Sequence, residues 1–177
     1  LLHGIGFFII KGTKFRDFSK NEMREFFRII SEGLGNLLVQ NIKNEKLVII
    51  TDRGKSMKSG GRYHQTKDGG SYHTDSPQWD NVPDFVGLYC EQPATIGGSS
   101  KYVSAYKLHS FLLDFDANLL KILYDSFHFD KRGEYKTGES QTTFKPIFAY
   151  SDGSLSFRYL RDYIDAGHAK ANLPLTD

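Results

Sequence analysis

His73 and Asp75, in the run Tyr72-His73-Thr74-Asp75, are of the residue types that hold a transition metal. In a β-strand, residues i and i+2 project from one face. The pair would then stand about 7 Å apart at the backbone, given a rise of ~3.3 Å per residue. An imidazole and a carboxylate on one face, joined by a second imidazole from elsewhere, form the facial triad that binds non-haem Fe(II) and leaves three positions open. Open positions are what oxygen chemistry requires. The same residues have a plainer reading, a turn in which Asp75 accepts backbone N–H bonds ahead of Ser76-Pro77. Composition alone yields about half a His-x-Asp in a chain like this one, and His128-Phe129-Asp130 is a second instance. His128, between Phe127 and Phe129, is expected to face a core or a helix surface and is set aside.

The elements around the pair decide what it can do. Ser19 with Glu22 makes a capping box, and Met23, Phe26, Phe27, Ile30, Leu34, Leu37 and Leu38 follow at helical spacing, so an amphipathic helix begins there. Strands are predicted over residues 5–10, 47–51, 71–74, 85–91, 100–104, 126–130, 142–150 and 154–160, punctuated by Pro, Gly and Asp. Helical spacing recurs over 105–124 and 162–171. The Gly- and Lys-rich stretch 52–70 has no periodicity and is a candidate lid. Strands without regularly alternating helices imply a mainly β, α+β architecture, an antiparallel sandwich or jelly roll with flanking helices. Residues 1–177 are expected to form a single domain, cut at both ends: Thr176 resembles the N-cap of a helix that does not follow.

Composition narrows the class. The chain has 177 residues, 39% apolar and 25% charged, with no apolar run near the ~20 residues of a membrane helix. A net charge of +2 without a basic stripe argues against nucleic acid as a partner. The single cysteine, Cys90, is expected to be a buried small hydrophobe in a reducing, cytoplasmic compartment. Nothing in the sequence excludes a homo-oligomer.

The stretch beyond the pair is more specific. The β run Pro83-Asp84-Phe85-Val86-Gly87-Leu88-Tyr89-Cys90 ends at Glu91-Gln92-Pro93-Ala94, and Gly97-Gly98-Ser99-Ser100 comes next. Gly97-Gly98 suits a hairpin turn at positive φ or a close backbone approach to a ligand. His-Thr-Asp, an aromatic and apolar β run ending near a Pro, then Gly-Gly-x-Ser resembles the taurine dioxygenase (TauD/TfdA-like) family of Fe(II)/2-oxoglutarate-dependent oxygenases. Gly6-Phe7-Phe8-Ile9-Ile10-Lys11-Gly12, Phe157-Arg158-Tyr159 through Ile164, Gly167-His168 and Leu173-Pro174-Leu175-Thr176-Asp177 also resemble family segments.

The resemblance implies a double-stranded β-helix, the cupin-like jelly roll, incomplete at the C-terminus. It makes His73 and Asp75 iron ligands and places Ser100 where a hydroxyl bonds the distal carboxylate of 2-oxoglutarate. It also implies Fe(II) as cofactor, 2-oxoglutarate and O2 as cosubstrates, and hydroxylation or desaturation of a small-molecule substrate with release of succinate. Related halogenases lack the carboxylate, so Asp75 favours these two outcomes. The family's distal His and its 2-oxoglutarate Arg have no counterpart in this chain. His168, His109, His64 and His3 are expected to pack or to be solvated. Arg158 and Arg161 suit a substrate oxyanion or, equally, surface ion pairs with Asp162 or Asp165; Tyr63, Tyr72 and Trp79 flank the pair. A non-catalytic jelly-roll protein that has lost iron is the main rival. A zinc hydrolase lacks a base and a suitably spaced second ligand.

Overall fold

The computed structural model describes residues 6–11, 17–41, 43–57, 61 and 63–175. Its ordered centre lies late in the chain. β1 (Ser126–Asp130) pairs antiparallel with β2 (Thr142–Pro146), His128 facing Phe144. β3 (Phe148–Ser151) pairs antiparallel with β4 (Ser154–Phe157) across Asp152-Gly153. Both of those turn residues have positive φ, 50° and 76°, the conformation that Asp-Gly accepts most readily in a two-residue hairpin.

Four helices accompany the hairpins. α1 (Lys20–Leu34) starts at the expected capping box, with both Ser19 and Glu22 bonds made. α2 (Ala105–Phe115) and α3 (Ala117–Ile122) divide the helical stretch at Asp116, which ends one and caps the next by accepting from Asn118 and Leu119 N–H groups. α4 (Arg161–Ala171) closes on Asn172 in the left-handed conformation. Its apolar side meets β1, and Leu120, Phe129, Ile147, Phe148, Leu160, Tyr163 and Ile164 form the buried cluster. Phe129 and Phe148 are fully buried; burial of such a side chain contributes about 1.5–3 kcal/mol. Gly167 lets α4 approach β1 closely, since a Cβ there would lie 2.2 Å from the His128 carbonyl oxygen.

Several expected strands are corrected. Residues 6–10, 47–51, 71–74, 85–91 and 100–104 form no ladder among the described residues, and 142–150 breaks into β2 and β3 at Ile147. Apolar alternation marks a chain that is able to extend, but a strand also needs a partner for its N–H and C=O groups. The 85–91 run lies over α1 instead. Tyr89 packs on Phe27 with ring centroids 5.9 Å apart, a Cβ on Gly87 would meet the Phe27 ring at 3.1 Å, and Arg24 pairs with Glu91. Its other side is open, so Cys90 is exposed, contrary to the burial expected of it. A jelly roll has eight strands in two sheets; the described residues supply two antiparallel hairpins and four helices, an α+β arrangement. No helix among them is long and apolar enough to cross a membrane. The helix N-cap expected at Thr176 and the histidine His3 lie outside the described residues.

The second His-x-Asp belongs to this core. Asp130 is buried and paired with Lys170 at 2.6 Å and Arg132 at 3.6 Å. His168 accepts the His128 N–H at Nε2 (3.1 Å), and its Nδ1–H donates to the Leu173 carbonyl (2.7 Å), which fixes its tautomer. Burial, and secondarily His168, holds the His128 pKa below its usual range. The unfolded chain, with His near 6.5, therefore binds more protons than the folded one below that pH, so stability falls as pH drops through about 6.5. Thermal midpoints recorded from pH 7.5 to 5.5 are expected to decline, and His128→Gln is expected to flatten that decline. An unchanged slope in the variant refutes this role for His128.

Candidate metal centre

The segment carrying His73 and Asp75 is held by the residue between them. Thr74 N–H donates to the Tyr159 carbonyl at 2.8 Å, and Thr74 Oγ1 accepts the Tyr159 N–H at 3.0 Å. With Thr74 turned to Tyr159, its two neighbours meet on their own side: His73 Nε2 lies 3.6 Å from Asp75 Oδ1. One cross-chain pairing thus achieves what a full strand was expected to supply. Asp75 accepts no backbone N–H among the described residues, although a turn does follow, with Ser76 at φ 51° and Trp79 N–H donating to the Ser76 carbonyl.

His73 is oriented from three directions. Its Nδ1 bonds the Ser71 carbonyl at 2.6 Å, which assigns the proton to Nδ1 and leaves the Nε2 lone pair facing Asp75. Tyr63 stacks on the imidazole, centroids 5.0 Å apart and planes at 17°. Gly70 lies against it so tightly that a Cβ would meet Cε1 at 3.1 Å. The Asp75 carboxylate raises the His73 pKa, with partial burial opposing it. The Tyr63 hydroxyl donates to Asp162 in the first turn of α4 at 3.2 Å, and burial together with that carboxylate pushes its pKa up to about 12.

The donor set fits a metal ion. A separation of 3.6 Å is too long for a hydrogen bond, yet within the ~4.2 Å that two donors each ~2.1 Å from one ion are able to span. Among the described residues no third His, Cys, Asp or Glu joins the pair.

The other residues singled out by sequence make different contacts. Ser100 is exposed, two residues beyond Gly97 and Gly98 at φ 82° and 78°, and makes no hydrogen bond to His73 or Asp75. Tyr72 is exposed. Arg161 makes the exposed ion pair with Asp165, Nε to Oδ1 2.8 Å. Arg158 Nη1 donates to the Pro77 and Trp79 carbonyls at 2.9 and 2.8 Å, so this guanidinium holds protein backbone, not an Asp162 or Asp165 partner. Trp79 donates to Glu134 at 3.2 Å and lines two adjoining grooves of about 400 and 410 Å³. His109 packs edge-on against Phe148 and bonds the Tyr124 hydroxyl at 2.8 Å. The 52–70 stretch is pinned where described: Met57 and Tyr63 pack on the core, and Arg132 bonds the Gly61 carbonyl at 2.6 Å. Sequence reasoning missed Gly70, Tyr159 and the backbone role of Arg158. Gly69-Gly70 just ahead of His73 was the one available signal, since paired glycines often mark a close approach.

Comparison with known proteins places this site in context. The profile of the Taurine catabolism dioxygenase TauD, TfdA family matches residues 1–169. FR-33289 synthase from Streptomyces rubellomurinus (strain ATCC 31215) is 32% identical over 173 residues, 96% of this chain and 49% of that protein. The chain thus spans about half the length of the curated relative it matches. A family match over nearly the whole chain and this relative agree: the chain belongs to the TauD, TfdA family.

Proposed function

We propose that this chain carries part of an Fe(II)/2-oxoglutarate-dependent dioxygenase that hydroxylates or desaturates a small organic substrate. The observation that supports this reading above others is the convergence of His73 Nε2 and Asp75 Oδ1 at 3.6 Å, with His73 anchored through its other nitrogen. His73 and Asp75 would hold the iron, with a third ligand from outside the described residues. Iron bound there supplies the activation of O2 that is coupled to decarboxylation of 2-oxoglutarate to succinate.

The chain's own contributions are positional. Ser71 fixes the imidazole tautomer, Tyr63 and Gly70 restrict its tilt, and Thr74 with Tyr159 sets the face from which both donors project. Ser100 is the proposed hydroxyl for the distal carboxylate of 2-oxoglutarate, and exposed Tyr72 the proposed wall for the substrate. The jelly roll is the proposed architecture of the whole protein, with β1 to β4 as part of it. A non-catalytic binding protein on the same fold is the second reading, favoured by the lack of a third ligand among the described residues.

Anaerobic addition of Fe(II) and 2-oxoglutarate to the full-length protein separates the two. The expected result is a visible metal-to-ligand charge-transfer band, absent in His73→Ala. No band in the parent protein overturns the enzyme reading.

A further inference from the structure

Arg158 and Tyr159 are adjacent residues that grip both flanks of Asp75. Tyr159 brackets Thr74 on one side through its N–H and C=O, at 3.0 and 2.8 Å. On the other side, Arg158 Nη1 donates to the carbonyls of Pro77 and Trp79, in the turn that leaves Asp75. That turn begins at Ser76 in the left-handed conformation, φ 51°, which a non-glycine residue adopts only when its surroundings impose it. The surroundings here include the Trp79 N–H bond to the Ser76 carbonyl and Arg158, whose one nitrogen bonds two carbonyls two residues apart and so restrains the path of the backbone after the carboxylate. The contact is half-buried, so water competes poorly for these carbonyls, and charge-assisted bonds of this kind are about twice as strong as neutral ones. Arg161, three residues on, is exposed and, among the described residues, pairs with Asp165 of its own helix.

We infer that Arg158 is a positioning residue for the metal centre, acting through the 76–79 turn to hold Asp75 where it shares an ion with His73. This rests on the reading of His73 and Asp75 as ligands. It assigns the Arg158 guanidinium a backbone-holding task in place of the expected contact with a substrate oxyanion, because both N–H groups of Nη1 are directed to backbone carbonyls.

The test measures metal affinity itself, in the full-length protein, by anaerobic Fe(II) titration followed in the charge-transfer band and, independently, by Co(II) titration without 2-oxoglutarate. Arg158→Met is expected to weaken Co(II) and Fe(II) binding by ~10–100-fold, the usual effect of losing an outer-shell partner, and to broaden or shift the band. Arg158→Lys, which keeps a donor within reach of a carbonyl, is expected to recover part of that affinity. Arg161→Met is expected to change neither. Circular dichroism and the thermal midpoint accompany each variant, so that a protein that fails to fold is recognised and judged on the Lys variant alone.

Unchanged metal affinity in Arg158→Met, with His73→Ala and Asp75→Ala both losing the metal, overturns the positioning role and leaves the ligand reading standing. Unchanged affinity in all three overturns the ligand reading instead. A raised KM for substrate in both the Met and the Lys variants, with metal affinity intact, would return Arg158 to the substrate side.

Discussion

Replacing Asp75 with Ala in the full-length protein is expected to abolish 2-oxoglutarate turnover while leaving the fold in place. Outer-shell partners cost ~10–100-fold when removed, so loss of a direct ligand is expected to exceed ~100-fold, and succinate formation is the measurement. Stability is expected to move by no more than ~0.5 kcal/mol, the usual range for a surface change that removes no built-in contact. Asp75 is exposed and accepts no backbone N–H among the described residues, so nothing in the turn depends on its carboxylate. The combination matters more than either result. A residue serving only as a turn former would show the reverse pattern, a drop in thermal midpoint with activity surviving in the folded fraction. His73→Ala is expected to match Asp75→Ala in activity but to lose some stability as well, because its ring is held by Ser71, Tyr63 and Gly70.

The largest stability effect is expected at Gly167. A Cβ there would lie 2.2 Å from the His128 carbonyl oxygen, 2.6 Å from its carbon and 2.8 Å from the Asp130 nitrogen. All three are backbone atoms of β1, so no flexible side chain is able to move aside. Gly167→Ala must push α4 away from β1, opening the seam where Tyr163 and Ile164 meet Phe129. Overpacking usually costs ~1–3 kcal/mol, occasionally more. Rigid backbone on one side puts this case at about 3 kcal/mol or above, a fall of roughly 6–12 °C in Tm for a domain of this size. Gly33 in α1 is the matched control. Nothing lies within 4 Å of its missing Cβ, and Ala there is expected to stabilise by up to ~1 kcal/mol through helix propensity. Opposite signs for the same substitution in two helices would confirm that contact with β1, not propensity, decides the outcome. A neutral Gly167→Ala would refute the close seam.

Sequence was a good guide where local chemistry sufficed. Ser19 and Glu22 named the start of α1, because a capping box is made within four residues. The helix at 162–171 was legible for the same reason, and the strands expected on either side of Asp152-Gly153 are found there in shortened form. The runs at 85–91 and 100–104 were misread as strands, since alternation specifies an extended chain and says nothing of who pairs with it. Cys90 followed that error to the surface. At the candidate metal centre, the closeness of His73 and Asp75 follows from period-two geometry, and the structure shows it with Thr74 paired to Tyr159. What sequence could not show was the support, for Arg158 and Tyr159 reach Thr74, Pro77 and Trp79 from about 80 positions away. No spacing rule links residues so distant.

That distance also imposes an order on biosynthesis. The 71–79 segment leaves the ribosome ahead of Tyr159, which follows Thr74 by 85 positions. At ~5–20 residues per second the wait is roughly 4–17 s. Until β4 and its exit arrive, the nascent histidine and aspartate have no scaffold, and their shared face is set only as the later core closes behind it. On the proposed reading, a metal ion held by His73 and Asp75 would therefore be loaded late in the life of the polypeptide, after translation has passed residue 159.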